Sequence, residues 1–275
     1  MRRFYKLLCN CIKKIMRVYE MIQFDHAIPT ELIEKIRKAQ HLVVVTGAGV
    51  SAESGIPTFR DALTGLWRNY VAEELASANG FRKSPALVWG WYEWRRNMVL
   101  QAKPNAAHEA IAKLVTKVPK LTLVTQNVDD LHERAGSVDV LHLHGSLHAP
   151  RCFACARPHN FVKDSIPELT EEKRIEPPRC SHCGGKIRPG VVWFGENLPE
   201  KIFQQAEAAA GHCDVMLVVG TSGLVYPAAN IPSIAIRKQA TTVQINPTST
   251  DFDSFVTYNL VGKAGEILPA ILEKL

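Results

Sequence analysis

Short apolar runs alternate with amphipathic segments along most of this 275-residue chain. The apolar runs predict buried strands, which lie at 42–45, 121–125, 140–143, 215–219 and 242–245, with a short one at Leu260. The amphipathic segments predict helices, which begin near 30, span 106–114 and 199–210, and begin again near 130, 227 and 265. Strands that alternate with helices favour an α/β fold with a parallel sheet.

Residues 61–103 break this rhythm, because tryptophan and other large side chains recur there at helical spacing. We expect a small helical module with the tryptophans in its core. Tyr92 and Arg95 share one helical face, where a buried arginine needs a partner for its charge. Arg96 points away from that face and is expected to be solvated.

The strand at 42–45 runs into a glycine-rich turn, where Gly47, Gly49 and Ala52 match the spacing G-x-G-x-x-[G/A]. Glycine allows a tight turn and brings backbone N–H groups close to a pyrophosphate, so the turn predicts a phosphate-bearing cofactor. The alternative is a simple turn after a strand. Pro57 interrupts a long helix and no suitable acid follows, which argues against a dehydrogenase.

Four cysteines form two C-x2-C pairs separated by 24 residues: Cys152, Cys155, Cys180 and Cys183. Four thiolates on two tight turns are typical of tetrahedral zinc, and a closed coordination sphere predicts a structural role. Disulfides are the competing interpretation, but the chain lacks a secretory signal. Cys9 and Cys11 lie outside the pattern, as does Cys213, which we expect to be a small buried residue.

The formal net charge of +6 is concentrated at the amino terminus. Six basic residues against Glu20 give +5 within residues 1–24, and the rest of the chain is left near +1, which argues against nucleic-acid binding. No apolar run approaches the roughly 18 residues of a membrane span. The basic extension is interpreted as sequence upstream of a true start at Met16 or Met21, with a membrane-surface helix or an organelle presequence as alternatives.

The segment GAGVSAESGIPTFRD at 47–61 resembles the first signature of the sirtuins, which are NAD-dependent protein lysine deacylases. TQNVD (125–129), HGS (144–146), the two cysteine pairs, GTS (220–222) and INPT (245–248) follow in the order of that family. The resemblance covers about residues 30–272.

For the fold, the resemblance implies a Rossmann-like parallel sheet domain with a smaller composite domain. The expected boundaries are 25–60, 104–150 and 196–275 for the NAD-binding domain, 61–103 for the helical module, and 151–195 for the zinc ribbon and substrate segment.

For the site, the resemblance implies His144 as the general base, Gln126 and Asn127 near the nicotinamide ribose, and Asp129 on the nicotinamide carboxamide. An alternative for Asp129 is a cap on the next helix. The other implied NAD-binding residues are Gly47, Ala48, Gly49, Ser51, Ala52, Glu53, Gly55, Phe59, Arg60, Trp67, Gly220, Thr221, Ser222, Asn246, Thr248 and Ala264.

The Y-x-x-R pair of Tyr92 and Arg95 resembles the mark of the class III branch, which removes acidic acyl groups such as succinyl, malonyl or glutaryl. A planar guanidinium suits a carboxylate. An acyl-lysine peptide is expected to add as a strand to Val192, Trp193, Phe194 and Gly195, for which an ordinary edge strand is the alternative. Asp61 introduces an acid that opposes an anionic acyl chain.

The expected products are nicotinamide, free lysine and O-acyl-ADP-ribose, and the expected partners are proteins that carry acyl-lysine. Three alternatives stay open: a predominant deacetylase, a protein ADP-ribosyltransferase, and a non-catalytic zinc-ribbon binding module. We expect a monomer without specific nucleic-acid binding. A cytoplasmic location is favoured, and a mitochondrial one would follow if the extension is a presequence.

Overall fold

The computed structural model describes residues 28–58, 70–160 and 174–275. Its helices are α1 (Thr30–Lys38), α2 (Ala48–Ala52), α3 (Ala72–Leu75), α4 (Ala78–Lys83), α5 (Pro85–Gln101), α6 (Ala106–Leu114), α7 (Leu131–Arg134), α8 (Glu200–Gly211), α9 (Asn230–Arg237) and α10 (Ala264–Lys274). Its strands are β1 (Leu42–Thr46), β2 (Leu121–Thr125), β3 (Leu141–His142), β4 (Gly145–Cys152), β5 (Ile187–Val191), β6 (Val215–Val219), β7 (Thr241–Asn246) and β8 (Tyr258–Val261).

Six strands form one parallel sheet in the order β3-β2-β1-β6-β7-β8. The chain builds outward from β1 through β2 to β3, and then returns to build outward through β6, β7 and β8. Such a reversal creates a crevice at the carboxyl ends of the two central strands, where open α/β sheets bind ligands. Thr46 pairs with Thr125 on one side and with Val219 on the other, so the three strands end at one level.

Helices cover both faces of this sheet, because alternate residues of each strand face opposite ways. Val44 belongs to a core cluster with apolar residues of α1, α6 and α10. Val43 belongs to a second cluster with apolar residues of α8 and α9. Strand β1 is buried throughout, which explains its uninterrupted apolar sequence.

A second lobe combines the helices α3–α5 with the antiparallel pair β4–β5. Its core contains Phe81, Trp91 and Trp193, so the expectation that the aromatic residues of α5 are mainly core is confirmed for Trp89 and Trp91. Trp89 packs against Cys152 and Cys180 and so joins α5 to the cysteine cluster.

The predicted α/β fold with a parallel sheet is confirmed, and two element predictions need correction. Strand β3 has only two residues, because Asp139 (φ 52°) and Gly145 (φ 73°) turn the chain on either side of it. Helix α9 begins at Asn230 and not near 227, because a turn occupies the preceding residues, with the Ala229 N–H donating to Val225 O.

Several predictions concern residues outside the described ranges: the extension 1–24, Phe59, Arg60, Asp61 and Trp67. Among the helices of the described ranges, none has the combination of length and apolar character needed to cross a membrane.

Candidate functional site

The predicted cofactor residues meet at the carboxyl edge of the parallel sheet. Gly47 follows β1, Gln126 follows β2, Gly220 follows β6 and Asn246 ends β7. Because these strands are adjacent and parallel, residues that lie far apart in the sequence line one crevice.

The two loop glycines serve a contact that the sequence did not predict. A Cβ on Gly47 would lie 2.7 Å from Thr221 Cβ, and one on Gly49 would lie 2.8 Å from Gly220 Cα. The Gly49 N–H donates to Gly220 O at 2.8 Å. These glycines thus pack closely against the loop after β6. This packing alone excludes a side chain at both positions, whether or not a pyrophosphate binds there.

The loop after β1 is also tied to α6 through Asn105, which the sequence analysis did not single out. Its Nδ2 donates to Val50 O at 2.8 Å and to Ser54 Oγ at 2.9 Å. Its Oδ1 accepts from the Ala107 N–H and so caps α6. The cap pattern of asparagine before a helix is visible in the sequence, but the link to the glycine-rich loop is not.

Ser51, Asn127 and Asp129 form a buried polar network. Ser51 Oγ donates to Asp129 Oδ2 at 3.0 Å and accepts from Asn127 Nδ2 at 3.0 Å. Burial raises the pKa of Asp129, and the hydrogen bonds from the Leu131 N–H and Ser51 oppose this shift. The Leu131 N–H donates to Asp129 Oδ1 at 3.2 Å, which fixes the carboxylate just before α7, although the N-cap residue of that helix is Asp130 and makes no side-chain cap bond.

A second network, absent from the sequence analysis, lies beneath this crevice. Thr46 Oγ1 donates to Thr125 Oγ1 at 2.8 Å and lies 2.9 Å from His132 Nε2. The ring centres of His132 and His108 lie 4.9 Å apart, with the ring planes tilted by 60°. Burial lowers the pKa of His132 to about 3 and that of His108 to about 4, so both rings are neutral at physiological pH.

Other predicted residues make contacts toward the β6–β8 side of the crevice. Gln126 Nε2 donates to Thr221 Oγ1 at 3.1 Å, and Asn246 Nδ2 donates to Thr248 O at 2.8 Å. Glu53 Oε1 accepts from the Gly265 N–H at 3.1 Å, which joins the first loop to the start of α10. Ala48, Ala52, Gly55 and Ser222 are exposed, and Ala264 is buried at the first position of α10.

His144 lies just beyond β3 and is partly buried. Its Nδ1 lies 3.0 Å from Gln126 O. Because a carbonyl oxygen only accepts, Nδ1 carries the proton and Nε2 keeps its lone pair. Burial lowers the pKa of His144, and the hydrogen bond to Gln126 O opposes the shift. The arrangement therefore supplies a neutral imidazole with one basic nitrogen.

His142 has the opposite electrostatic environment. Its Nε2 lies 2.6 Å from Glu133 Oε1, and its Nδ1 lies 3.2 Å from Asn127 O. Burial alone would lower the pKa of His142, but the Glu133 carboxylate and the Asn127 carbonyl together raise it. Both ring nitrogens face acceptors, so His142 is suited to a fixed ionic contact.

Tyr92 and Arg95 lie in the second lobe, on α5. The Trp193 Nε1–H donates to the Tyr92 hydroxyl at 3.0 Å. The Arg95 guanidinium lies 5.1 Å from the centre of the Trp91 ring. Burial lowers the pKa of Arg95, and the nearby Tyr92 and Asp129 oppose this shift.

The prediction that Arg96 is solvated is wrong. Its side chain is only 13% exposed, and its Nη2 lies 2.7 Å from Glu93 Oε2. Glu93 lies three residues earlier on the same helix, a spacing that brings side chains together, and its carboxylate, which is only 12% exposed, pairs with the charge of Arg96.

The expected substrate segment follows β5 and is closed by a turn. The Val192 N–H donates to His144 O at 2.8 Å, and the Phe194 N–H donates to Ala76 O at 2.9 Å. Trp193 is buried, whereas Phe194 and the following Gly195 (φ 82°) are exposed. Any substrate contact of Trp193 would therefore involve its backbone.

The four cysteines of the second lobe converge as the spacing predicts. Cys152 Sγ lies 3.5 Å from Cys183 Sγ, and Cys155 Sγ lies 3.8 Å from Cys180 Sγ. All four sulfur atoms lie within 4.8 Å of one another. Tetrahedral Zn–S bonds of about 2.3 Å require sulfur atoms about 3.8 Å apart, so the cluster matches the geometry of a closed zinc site. The prediction that Cys213 is buried is also confirmed.

A cavity of about 470 Å³ lies elsewhere, between α6 and α8 at the amino-terminal end of β2. Its lining includes Val115, Leu121 and His212 but none of the predicted site residues. The crevice at the carboxyl edge is thus separate from it.

These features define a Rossmann-like α/β protein with a ligand crevice at the switch point of its sheet and a four-cysteine metal site in a second lobe. A family model described as "Sir2 family" matches residues 47–227. The chain belongs to the Sir2 family, and the resemblance found in the sequence is confirmed.

Two relatives illustrate the similarity. The chain is 58% identical over 245 residues to a protein from Methylococcus capsulatus (strain Bath) named NAD-dependent protein deacylase, with 89% of this chain and 96% of the relative covered. It is 47% identical over 235 residues to a protein of that name from Mycobacterium tuberculosis (strain H37Ra), with 85% and 97% covered.

Two solved structures match the fold closely. A Sir2 homologue in complex with NAD has a TM-score of 0.80 and 44% identity, and the match covers 90% of this chain and 93% of that chain. A complex described as Sir2, p53 peptide and NAD⁺ has a TM-score of 0.76 and 34% identity, with 89% and 97% covered.

Proposed function

We propose that this protein is an NAD-dependent protein lysine deacylase, and that it prefers acyl groups that end in a carboxylate. The general activity follows from family membership and from relatives named NAD-dependent protein deacylase. The observation that carries the acyl preference is the pair Tyr92 and Arg95, which places a hydroxyl and a partly buried guanidinium on one face of α5.

The crevice offers suitable groups for NAD at both of its ends. The nicotinamide end would be held by Ser51, Asn127 and Asp129, whose buried side chains are joined by hydrogen bonds at Ser51 Oγ. Gly220, Thr221, Ser222, Asn246, Thr248 and Ala264 would hold the adenosine end. Bound NAD would supply an electrophilic ribosyl carbon, to which the acyl carbonyl oxygen would bond while the bond from that carbon to nicotinamide breaks.

His144 is assigned the proton-transfer step. Its Nδ1–H is held by Gln126 O, so Nε2 is the atom that takes up a proton. The Val192 N–H donates to His144 O, which joins the base directly to the segment expected to bind the acyl-lysine peptide. That segment would add the peptide as a strand and so accept varied protein sequences.

Zinc is assigned a structural role, because four thiolates fill a tetrahedral coordination sphere. Cys152, Cys155, Cys180 and Cys183 would hold it, and the strand pair β4–β5 would connect it to the crevice. The expected substrates are proteins that carry acyl-lysine. The monomeric state and the cytoplasmic location stay predictions from the sequence.

Deacylation of one peptide that carries acetyl-, succinyl- or glutaryl-lysine tests this proposal, with NAD present and absent. The parent protein should remove the acidic groups only with NAD. Arg95→Met should lower kcat/KM for these groups about 10- to 100-fold and spare acetyl removal, because a charge-assisted hydrogen bond contributes about 1.5–3 kcal/mol.

Arg96→Met is the matched control, since Arg96 is a neighbouring arginine paired with Glu93 and should leave the succinyl-to-acetyl ratio unchanged. Dominant acetyl removal that Arg95→Met does not alter would make the protein a general deacetylase. A mass gain on the target without acyl loss would establish ADP-ribosylation, and no nicotinamide release at all would establish a binding module.

A further inference from the structure

The Tyr92 hydroxyl receives a hydrogen bond before any substrate is present. The Trp193 Nε1–H donates to it at 3.0 Å, and within the described ranges this is its one hydrogen-bond partner. A phenol both donates and accepts, so its own O–H proton stays available to an acceptor. Burial raises the pKa of Tyr92 to about 12, so the proton is retained at physiological pH.

The indole of Trp193 is fixed on several sides. The Arg188 guanidinium lies 3.5 Å from the centre of its ring, a close cation–π contact. The ring of Phe81 lies 5.4 Å away and that of Phe153 lies 6.2 Å away. Because the indole is fully packed, its N–H points in one direction.

Arg188 is in turn held by the turn that carries Trp193. Both Arg188 Nη atoms contact the Glu196 carboxylate, and Nη2 also donates to Val191 O at 2.8 Å. Glu196 Oε2 accepts from the Trp193 N–H at 3.0 Å. Arg188 is only 4% exposed, so this closed set of contacts has little freedom to rearrange.

The direction of the Tyr92 hydroxyl matters because of Arg95. Arg95 lies three residues after Tyr92 on α5, its guanidinium lies 5.1 Å from the centre of the Trp91 ring, and that ring centre lies 4.6 Å from the centre of the Tyr92 ring. A carboxylate that pairs with Arg95 would meet the Tyr92 O–H if that proton points outward. With the indole N–H on the phenol oxygen, the proton is directed away from Trp193.

We propose that Trp193 is a positioning residue for acyl selectivity: its indole N–H orients the Tyr92 hydroxyl as a donor to the carboxylate of an acidic acyl group. The inference rests on the proposed function and adds a residue that acts through Tyr92. It predicts that the Trp193 indole and the Tyr92 hydroxyl are energetically coupled.

The test is a double-mutant cycle with Trp193→Phe, Tyr92→Phe and the combined variant, using acetyl- and succinyl-lysine peptides with NAD. Trp193→Phe should raise KM for the succinyl peptide about 3- to 10-fold more than KM for the acetyl peptide, the range expected for one hydrogen bond. In the Tyr92→Phe background the same substitution should leave the succinyl-to-acetyl ratio unchanged.

Trp89→Phe is the matched control, because Trp89 is a buried tryptophan of α5 that packs against the cysteine cluster. It should retain the parental succinyl-to-acetyl ratio. Replacing Trp193 with 3-benzothienylalanine keeps the ring volume and removes only the N–H, so it gives the answer if the phenylalanine variant does not fold.

An equal effect of Trp193→Phe on both peptides, or an undiminished effect in the Tyr92→Phe background, overturns the inference. Different results would contradict the proposed function: the parent protein would remove no acidic acyl group, or Arg95→Met would leave the removal of acidic acyl groups unchanged. An acidic preference that depends on Arg95 but not on Trp193 leaves the function intact and removes only the positioning role.

Discussion

His142 and His144 are two residues apart, yet their ring nitrogens face different atoms. His142 lies between Glu133 and Asn127 O, which favour its charged form, whereas burial favours the neutral form of His144. The alternating pattern of the strand places both rings on the same face and does not distinguish them. The contacts of each ring identify His144 as the residue with a nitrogen free to take up a proton at neutral pH.

The unperturbed pKa of a histidine is about 6.5, and burial lowers the pKa of His144 below it. His144 therefore becomes protonated only below about pH 6.5, and we expect deacylation to decline in that acidic range. His144→Ala should lower kcat about 100- to 10,000-fold. The pH profile of kcat for the parent measures the acid limb.

His212→Ala is the control for this prediction, since His212 lies at the end of α8 with its Nδ1 on Ala208 O. An acid limb above pH 7, or a His144→Ala variant with parental kcat, would contradict the role of His144 as base.

At the scale of an element, the turn from β1 into α2 depends on the loop after β6. Gly49 belongs to α2, and alanine normally favours a helix over glycine. At this position a Cβ would collide with the Gly220 backbone, which cannot rotate away as a side chain can. Packing between two loops therefore overrides helix propensity.

We expect Gly49→Ala to reduce the free energy of unfolding by about 1–3 kcal/mol and to weaken NAD binding. Gly211→Ala is the matched substitution, because Gly211 ends α8 and the nearest atom to an added Cβ is 4.0 Å away. It should raise the free energy of unfolding by roughly 0.5–1 kcal/mol. Urea unfolding measures both, and equal effects would refute the loop contact.

Elements with strong periodicity were predicted well from the sequence, and contacts between elements were not. The bounds of α6, β2 and β6 agree with the prediction because each combines a clear apolar pattern with a defined end. The ion pair of Arg96 with Glu93 was missed, although its spacing of three residues was visible, because the burial of that face depends on the rest of the lobe.

The same limit applies to the site. The cysteine pairs and the polar strand ends could be read directly, since spacing and topology determine where they meet. The contact of Trp193 with Tyr92 joins residues 101 positions apart, and the ring contact of His108 with His132 depends on how α6 packs against α7. Both contacts depend on the direction of side chains in a packed core, which no local sequence pattern predicts.

At the scale of the whole molecule, the cysteine cluster and the crevice are linked by one pair of strands. Cys152 ends β4, and Gly145 begins it directly after His144. Strand β5 ends at Val191, immediately before the expected substrate segment. Disruption of the cluster on loss of metal would therefore displace the backbone at both His144 and Val192.

We expect removal of zinc by chelation, or Cys183→Ser, to lower thermal stability and abolish deacylation, because zinc in such sites supplies on the order of 10–16 kcal/mol of folding free energy. Metal analysis should give one zinc for each parent chain. Cys213→Ala is the control and should keep that zinc, since Cys213 lies outside the cluster with its Sγ on Ala210 O. Full activity in a zinc-free protein would refute the coupling.

The pairing of Gly145 with Val191 has a wider consequence. The chain leaves the large sheet domain and returns to it through neighbouring strands, so the backbone of the described residues 146–160 and 174–190 joins that domain through one pair of strands. Loops within that stretch can lengthen, shorten or change sequence during evolution while the separation of His144 and Val192 stays constant. New partner specificity can thus arise at the tip of the lobe without disturbing proton transfer at its base.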